Sequence, residues 1–235
     1  MGIERGSPFR TCDSWLLLEP YRASRFFVFG LTTKHTKDND AAYVVALYFT
    51  EMPAVIAMLR AVNLVSHNRI KMDALCSLCT SLKLRDPQTY VQSGNVVFGT
   101  NERNLAKVSK QIADGIEREF GFRTEVIVRS TAEMRDVVAR SPFAKRRGIE
   151  PGKFLILFFS GQPGLDARER IQSIKADREE LHLDGRELYI YFPDGQGRSK
   201  VSTATIERML KTPGTGRNWN SVTKLLEMAE TMEGL

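Results

Sequence analysis

The stretch Gln88-Thr-Tyr-Val-Gln-Ser-Gly-Asn-Val-Val-Phe98 decides the fold, because it joins two short apolar runs through a turn sequence. β-Branched and aromatic residues, which suit a half-buried strand, flank the turn. Ser93-Gly94-Asn95 is typical of a tight turn, since Gly and Asn tolerate positive φ. We therefore predict a β-hairpin with arms at about 88–92 and 95–99. One long strand with a bulge at Gly94 remains an alternative, because the same glycine permits it.

A second hairpin is predicted in the C-terminal half, where Asp184-Gly185 separates the apolar runs 179–183 and 186–192. Asp-Gly between two such runs is the strongest local hairpin signal. Each hairpin is preceded by an apolar strand and a helix and is followed by another helix. The two halves therefore form a weak internal repeat, and this repeat favours the hairpin over the bulged strand at Gly94.

The residues around the first hairpin complete one structural unit. Apolar runs predict a strand at 54–59, buried on both faces, and another at 125–128. Apolar residues at helical spacing predict one helix from about Met72 and another from Leu105 that ends at Gly121. Strand, helix, two strands, helix and strand is the order of an α/β plait, in which two helices cover one face of a four-stranded antiparallel sheet. We assign residues 52–129 to this plait.

A helix and a basic linker are predicted at 130–152. Ser130 with Glu133 three residues later indicates a capping box, so we expect a helix at 131–140. The stretch that follows is rich in Pro and Gly and contains Lys145-Arg-Arg147. We interpret these three cations as part of an exposed charged linker rather than a specific site.

Residues 153–235 repeat the pattern as a second plait followed by a C-terminal helix. A strand is predicted at 153–159, and Pro163-Gly164 opens a helix whose apolar residues are Leu165, Ile171 and Ile174. The remaining elements are the second hairpin, a helix containing 206–210, a short strand at 215–218 and a last helix. The predicted fold class is therefore α+β, with two ferredoxin-like α/β plaits whose antiparallel sheets are each covered by helices.

Composition restricts the kinds of partner and compartment. The formal net charge is +6, and residues 1–51 hold six Lys or Arg against six Asp or Glu, so the whole excess lies in 52–235 and favours an acidic partner. The three cysteines, Cys12, Cys76 and Cys79, are too few for a disulfide framework and favour a reducing cytoplasm. The apolar runs are shorter than the ~20 residues that a spanning helix needs, so we expect no membrane segment.

The first 51 residues differ from the rest, because their charged and apolar residues follow neither a helical nor a strand period. We expect a poorly ordered N-terminal extension at 1–51, and one explanation is upstream sequence translated from an early start. It lacks the basic start and apolar core of a secretory signal.

Several motifs indicate a family. Leu59-Arg-Ala-Val-Asn63, Ile70-Lys-Met72 and the stretch from Thr89 to Phe98 resemble the bacterial family of unknown function DUF1697. Its later motifs resemble Ser141-Pro-Phe143, Gly197-Arg-Ser-Lys200 and, most specifically, Arg217-Asn-Trp-Asn-Ser-Val-Thr-Lys-Leu225. The resemblance covers about 52–230 and implies two ferredoxin-like units, with no activity assigned. One departure concerns 61–66, which lacks the glycines of the family's loop, and this weakens the idea of a phosphate cradle there.

The C-terminal motif supplies the first candidate site. Arg217, Asn218 and Trp219 precede a helix, whose free N–H groups attract anions, while Arg adds a forked donor and Trp a stacking face. Lys224 lies in the same motif. We therefore predict an anion or nucleotide site here. The alternative is that Arg217 and Asn218 cap and brace the helix while Trp219 fills the gap between the plaits.

Two further groups of polar residues are candidates for the same ligand. Arg198, Ser199 and Lys200 form a basic turn, and we expect it to begin the helix that contains 206–210, with a solvated surface turn as the alternative. Arg60 and Asn63 follow the first strand and Asn95 lies in the first turn. These three residues face a ligand or, alternatively, tie the loop to the hairpin.

No catalytic residue, metal site or cofactor is predicted. Cys76 and Cys79 lie within a predicted helix without the further ligands that zinc needs, so we interpret them as packing residues. The three histidines are isolated from any nucleophile setting, so no triad is supported.

Three classes of function remain. The first is a binding module for an anionic ligand, which is nucleic acid or a nucleotide-like molecule, and the basic turns and the plait fold favour it. The second is an enzyme or sensor for a small phosphorylated metabolite, with Arg60, Lys200 and Arg217 as charge clamps. The third is a structural or protein-interaction domain. Plaits carry many unrelated functions, so the fold alone does not choose among the three classes, and we rank anion or nucleic-acid binding first.

Overall fold

The computed structural model describes residues 52–64 and 68–235, and the predicted extension at 1–51 lies outside them. The first plait consists of β1 (Ala54–Leu59), α1 (Met72–Ser81), β2 (Arg85–Thr89), β3 (Asn95–Gly99), α2 (Leu105–Phe120) and β4 (Val126–Ser130). Helix α3 (Thr131–Ala139) follows. The second plait consists of β5 (Phe154–Phe159), α4 (Ala167–Gln172), β6 (Glu180–Asp184), β7 (Glu187–Tyr191), α5 (Thr203–Leu210) and β8 (Gly214–Asn218), and α6 (Trp219–Glu233) ends the chain.

Both sheets are antiparallel and have the same topology. Their strand orders are β2-β3-β1-β4 and β6-β7-β5-β8. The central residue of each first strand has equivalent neighbours, because Ile56 lies opposite Arg129 of β4 and Ile156 lies opposite Arg217 of β8. The predicted fold of two ferredoxin-like plaits is confirmed, including the short strand before the last helix.

The first hairpin forms, with different bounds from those predicted. Strand β2 pairs with β3 through Gln88 opposite Val97 and Thr89 opposite Val96. The connection runs over 90–94 rather than through a two-residue turn, because β2 already ends at Thr89, and Val91 and Gly94 within it both adopt positive φ. The Asn95 side chain closes this loop by donating to the Tyr90 carbonyl oxygen at 3.1 Å.

The outer face of each sheet is covered by the two helices that connect its strands. In the first plait Val55, Ala57 and Leu59 of β1 pack with buried residues of α1 and α2. In the second plait Leu155, Leu157 and Phe159 of β5 pack with buried residues of α4 and α5. The apolar residues of both strands are buried on both faces, which explains why 54–59 and 154–159 read as continuous apolar runs.

The inner faces of the two sheets share one core. Ile56 and Met58 of β1, Ile156 and Phe158 of β5, and buried residues of α3 and α6 belong to the same cluster. Helix α6 also bonds to the first plait, because the Ala54 N–H donates to Glu233 Oε1 at 2.8 Å. The described part of the chain therefore forms one compact unit in which two plaits are joined face to face.

Helix α4 begins later than predicted. The helix starts at Ala167, and its buried residues are Ala167 and Ile171. Leu165 precedes it and is fully exposed, so its predicted place on the apolar face is wrong. Leu165 and Asp166 form a turn before the helix, closed by the bond that the Ala167 N–H donates to the Gly164 carbonyl oxygen at 2.9 Å.

Candidate anion-binding cleft

Arg217 of β8 is buried, with 7% of its surface exposed, and all five of its N–H groups have partners. Nη2 donates to the carbonyl oxygens of Leu59 and Ser93 at 2.9 and 3.0 Å, and Nε donates to Asn95 Oδ1. Nη1 donates within β8. Burial lowers the pKa of Arg217 to about 10, so the guanidinium remains charged at neutral pH.

These bonds join the second plait to the first. Leu59 ends β1, and Ser93 and Asn95 belong to the first hairpin. The predicted ligand role of Arg217 and Asn95 remains a prediction, and among the described residues every donor of Arg217 is already used. Its contacts join the two plaits, whereas the alternative predicted for Arg217 was a brace of the following helix.

Arg129 of β4 makes the reciprocal contact. Its Nη2 donates to the Phe159 carbonyl oxygen at 3.0 Å, and its Nε donates to Glu187 Oε1 at 2.9 Å. Phe159 ends β5 and Glu187 begins β7, just as Leu59 ends β1 and Asn95 begins β3. Each plait therefore sends an arginine from its last strand into the other plait. The partner of Arg129 is a carboxylate, whereas the equivalent partner of Arg217 is a neutral amide.

The rest of the C-terminal motif also has structural contacts. The Asn218 side chain caps α6 by accepting a bond from the Ser221 N–H at 2.8 Å. The Trp219 ring stacks on Phe154 with centroids 4.9 Å apart. Lys224 forms an ion pair with Glu227 at 2.5 Å. The ligand role predicted for these three residues is not tested by their contacts, which are those of a helix cap, a packed ring and a surface ion pair.

The basic turn at 197–200 does not open α5, contrary to prediction. Helix α5 begins at Thr203 behind the N-cap Ser202, and residues 196–198 form a separate short 3-10 helix. Ser199 donates to the Glu179 carboxylate, and this bond lowers the pKa of Glu179. Arg198 is exposed, and Lys200 Nζ lies 3.8 Å from Asp177 Oδ2. The turn's N–H groups are therefore not those of the helix terminus.

Asn63 ties its loop to the first hairpin. Its Nδ2 donates to the carbonyl oxygens of Ile70 and Gln92 at 3.0 and 2.8 Å, and its Oδ1 accepts from the Ile70 N–H at 2.9 Å. This arrangement fixes the backbone of both segments. Tying the loop to the hairpin is the alternative to ligand binding that the sequence analysis gave for Asn63.

Arg60 is the predicted site residue that reaches an open cleft. Its Nη2 donates to Glu207 Oε2 at 2.7 Å, and its Nε donates to the Gly214 carbonyl oxygen at 3.1 Å. The side chain thus spans from the end of β1 to α5 and β8 of the second plait. It keeps 41% of its side-chain surface exposed in a cleft of about 740 Å³.

Side chains of both plaits line this inter-plait cleft. One wall comes from α2 and the residues before β4, and the other comes from α5 and the residues before β8. The lining cations are Arg60, Lys110, Arg123, Arg208 and Lys211, and the lining carboxylates are Asp114, Glu125 and Glu207. The cleft therefore has an excess of positive charge, and Lys200 and Arg217 do not line it.

Sequence reasoning identified Arg60 and missed the other four cations. An alignment of the two halves would have drawn attention to two of them. Arg123 lies three residues before the start of β4, and Lys211 lies three residues before the start of β8. A threonine follows each of them. Lys110 and Arg208 carry no such signal, because they are ordinary charged residues on exposed helix faces.

The described residues contain no group of three or more His, Cys, Asp or Glu side chains that could hold a metal ion. Cys79 is buried in the α1 core, and burial raises the pKa of its thiol to about 12. Packing is therefore the role of Cys79, as the sequence predicted.

Comparisons with known proteins agree with this fold. The structure of the conserved bacterial protein SP0830 from Streptococcus pneumoniae is similar, with a TM-score of 0.57 and 20% sequence identity over 76% of this chain and 99% of that chain. At this identity the likeness shows the fold alone. A search of the curated proteins gave no match.

Within residues 52–64 and 68–235, no helix has the length and apolar character needed to cross a bilayer. Residues 52–189 match the family described as "Protein of unknown function (DUF1697)", which spans more than half of the chain. The chain therefore belongs to this DUF1697 family.

Proposed function

We propose that the protein binds an anionic ligand, a nucleotide-like molecule or a segment of nucleic acid, in the inter-plait cleft. The observation that carries this proposal is the convergence of cationic side chains from both plaits on one opening. The cleft volume of about 740 Å³ is in the range of small-molecule sites. The net charge of +6 adds a favourable long-range attraction for an anion.

Arg60 is the residue best placed to exchange a protein partner for a ligand. Its ion pair with Glu207 is partly exposed, and such pairs contribute only about 0–1 kcal/mol to stability. A phosphate or carboxylate in the cleft therefore competes with Glu207 for the guanidinium at little cost to the fold. Arg offers a forked donor that matches either group.

Replacement of Glu207 tests this proposal by a gain of binding. We expect Glu207→Gln to bind tripolyphosphate about three- to ten-fold more tightly than the wild type, because Arg60 loses its competing carboxylate. Arg60→Gln should weaken binding by at least about five-fold. Isothermal titration calorimetry at about 50 mM salt, with a repeat at higher salt, measures both changes.

Glu180→Gln is the matched control. Glu180 also pairs with an arginine, Arg146, but this pair is exposed and lies away from the cleft. The control makes the same change in net charge and should leave the affinity within about two-fold of the wild type. Equal affinities for wild type, Glu207→Gln and Arg60→Gln would place the anion elsewhere, and no binding at low salt would remove the proposal.

A titration with single-stranded RNA distinguishes a nucleic-acid ligand from a small nucleotide-like one. A single-stranded RNA oligonucleotide extends beyond the cleft and contacts more cations, so its affinity should fall more steeply with salt than that of a small anion. If the oligonucleotide binds and tripolyphosphate does not compete with it, the ligand is nucleic acid held outside the cleft. Competition at the same site supports the cleft as the binding site.

A further inference from the structure

The two walls of the inter-plait cleft are equivalent parts of the internal repeat. The Arg60 N–H donates to the Glu125 carbonyl oxygen at 2.9 Å, and the Ser160 N–H donates to the Pro213 carbonyl oxygen at 2.9 Å. Residues 125 and 213 therefore occupy the same position, one residue before the last strand of each plait. By the same register Arg123 is the counterpart of Lys211, and Thr124 is the counterpart of Thr212.

The reciprocal arginine contacts between the plaits give the same result. Arg129 reaches the ends of β5 and β7 in the way that Arg217 reaches the ends of β1 and β3. Each plait therefore makes the same contact with the other, as two copies do across a two-fold axis. The cleft therefore opens between matching segments of the two plaits and presents one equivalent cation from each wall.

Both of these cations are accessible to a ligand. Arg123 has 77% of its side chain exposed, and its partner Glu117 is 3.8 Å away, so this ion pair is long and solvated. Lys211 is exposed and forms no ion pair among the residues that the structure describes. Arg60, which extends from one plait to the other, supplies a third cation in the same cleft.

The described lining of the cleft also lacks an aromatic surface on which a base would stack. None of its described lining residues is aromatic, and its apolar lining consists of small side chains such as Ala106, Ala113 and Pro213. Aromatic side chains are the main stacking platforms for bases, and two of the lining guanidinium groups are already bonded, that of Arg60 to Glu207 and that of Arg208 to its own helix. Recognition in this cleft therefore depends on the charges of the ligand rather than on a base.

We propose, on the basis of the proposed function, that the ligand carries at least two separate phosphate groups and needs no aromatic base. A bisphosphate or a linear oligophosphate fits this description. One phosphate group binds at Arg123 of the first plait, and another binds at Lys211 of the second. Joining two weak phosphate contacts in one molecule raises its affinity by making the second contact intramolecular.

Calorimetric titrations with orthophosphate, tripolyphosphate and ATP, at constant ionic strength, test this inference. We expect tripolyphosphate to bind at least about thirty-fold more tightly than orthophosphate, because only the longer ion engages both walls. ATP should bind no more than about two-fold more tightly than tripolyphosphate, because its base finds no aromatic stacking partner.

Two variants test the contribution of each wall. Arg123→Gln and Lys211→Gln should each lower the tripolyphosphate affinity by about ten-fold and change the orthophosphate affinity by no more than about two-fold. Lys145→Gln, in the linker outside the cleft, is the control with the same charge change and should leave both affinities unaltered. Thermal melting of each variant verifies that the fold is retained.

The outcomes separate this inference from the function on which it rests. Tight binding of orthophosphate with no gain for tripolyphosphate would overturn the two-phosphate inference while leaving anion binding in place. An effect of only one of the two cleft variants, or a large preference for ATP, would overturn it as well. Absence of binding by all three anions would remove both proposals.

Discussion

Gly94 of the first hairpin lies against Leu59 and Val62, and two separate constraints require glycine there. Its φ is 72°, a conformation that side-chain-bearing residues rarely adopt. A Cβ at this position would lie 2.3 Å from Val62 Cγ2 and 2.9 Å from Leu59 Cβ. Gly121, which ends α2, has a similar φ of 75° but no atom within 4 Å of its Cβ position.

Alanine substitutions at Gly94 and Gly121 distinguish the cost of backbone strain from the cost of steric overlap. We expect Gly121→Ala to lower the free energy of unfolding by about 1 kcal/mol, from strain alone. Gly94→Ala adds overpacking against Val62 and Leu59, so the loss should be about 3 kcal/mol or more. Urea unfolding measures both values, and costs that agree within about 0.5 kcal/mol would contradict the close packing of Gly94.

Cys79 gives the protein a pH dependence in the alkaline range. Burial raises the pKa of its thiol from 9.0 to about 12, and nearby Cys76 adds to the shift. The native state therefore keeps the proton while the unfolded chain releases it. This contribution to stability is complete below pH 9 and is lost as the pH rises towards 12.

Comparison with Cys79→Ala isolates this contribution. Between about pH 8 and pH 10 the wild type should lose about 1 kcal/mol more unfolding free energy than the variant. The stability difference between the two proteins should therefore narrow with rising pH, as urea unfolding at each pH would show. A difference that stays constant over this range would mean that the thiol ionises as easily in the native state as in the unfolded chain.

At the scale of elements, the last strand of each plait serves two purposes. Strands β4 and β8 each complete a sheet and each carry the arginine that enters the other plait. Arg129 and Glu187 form a buried ion pair at 2.8 Å, with 1% and 5% of their side chains exposed. Arg217 has carbonyl, hydroxyl and amide acceptors instead.

This asymmetry predicts unequal costs for the same substitution. Arg129→Met leaves the Glu187 carboxylate buried without its main partner, so we expect a loss of about 3–5 kcal/mol. Arg217→Met leaves neutral acceptors unpaired but removes a buried charge, so the loss should be smaller, at about 2 kcal/mol. Urea unfolding of both variants makes the comparison, and a larger cost at Arg217 would contradict this account of the two braces.

The sequence predicted those elements whose local signals agree with the tertiary structure. Asp184-Gly185 indicated the turn between β6 and β7, which the structure places one residue later at 185–186. Ser130 with Glu133 indicated the start of α3 through a capping box that the structure contains. Strand β2 was misplaced, because Arg85-Asp-Pro87 has no strand propensity and the strand is irregular there, with Asp86 at a φ of 47° and a register shift between Arg85 and Gln88. Its position depends on a neighbour rather than on its own residues.

At the scale of the whole molecule, the cleft exists because the two plaits share one core. Arg60 and Glu207 are separated by 147 residues in the chain and meet only after the sheets have packed face to face. Arg123 and Lys211 are likewise brought to one opening by the repeat. The sequence therefore indicated a basic protein with two plaits, whereas the place where its charges converge required the relative position of the two sheets.

The central claim is that an anion binds between the plaits, and backbone amide chemical shifts followed by NMR during a tripolyphosphate titration test it most directly. The account predicts that the largest shift changes fall on the two cleft walls, at 109–114 and 123–126 in the first plait and at 207–213 in the second. Changes confined to the basic turn at 197–200 or the linker at 145–147, or to one wall alone, would contradict it.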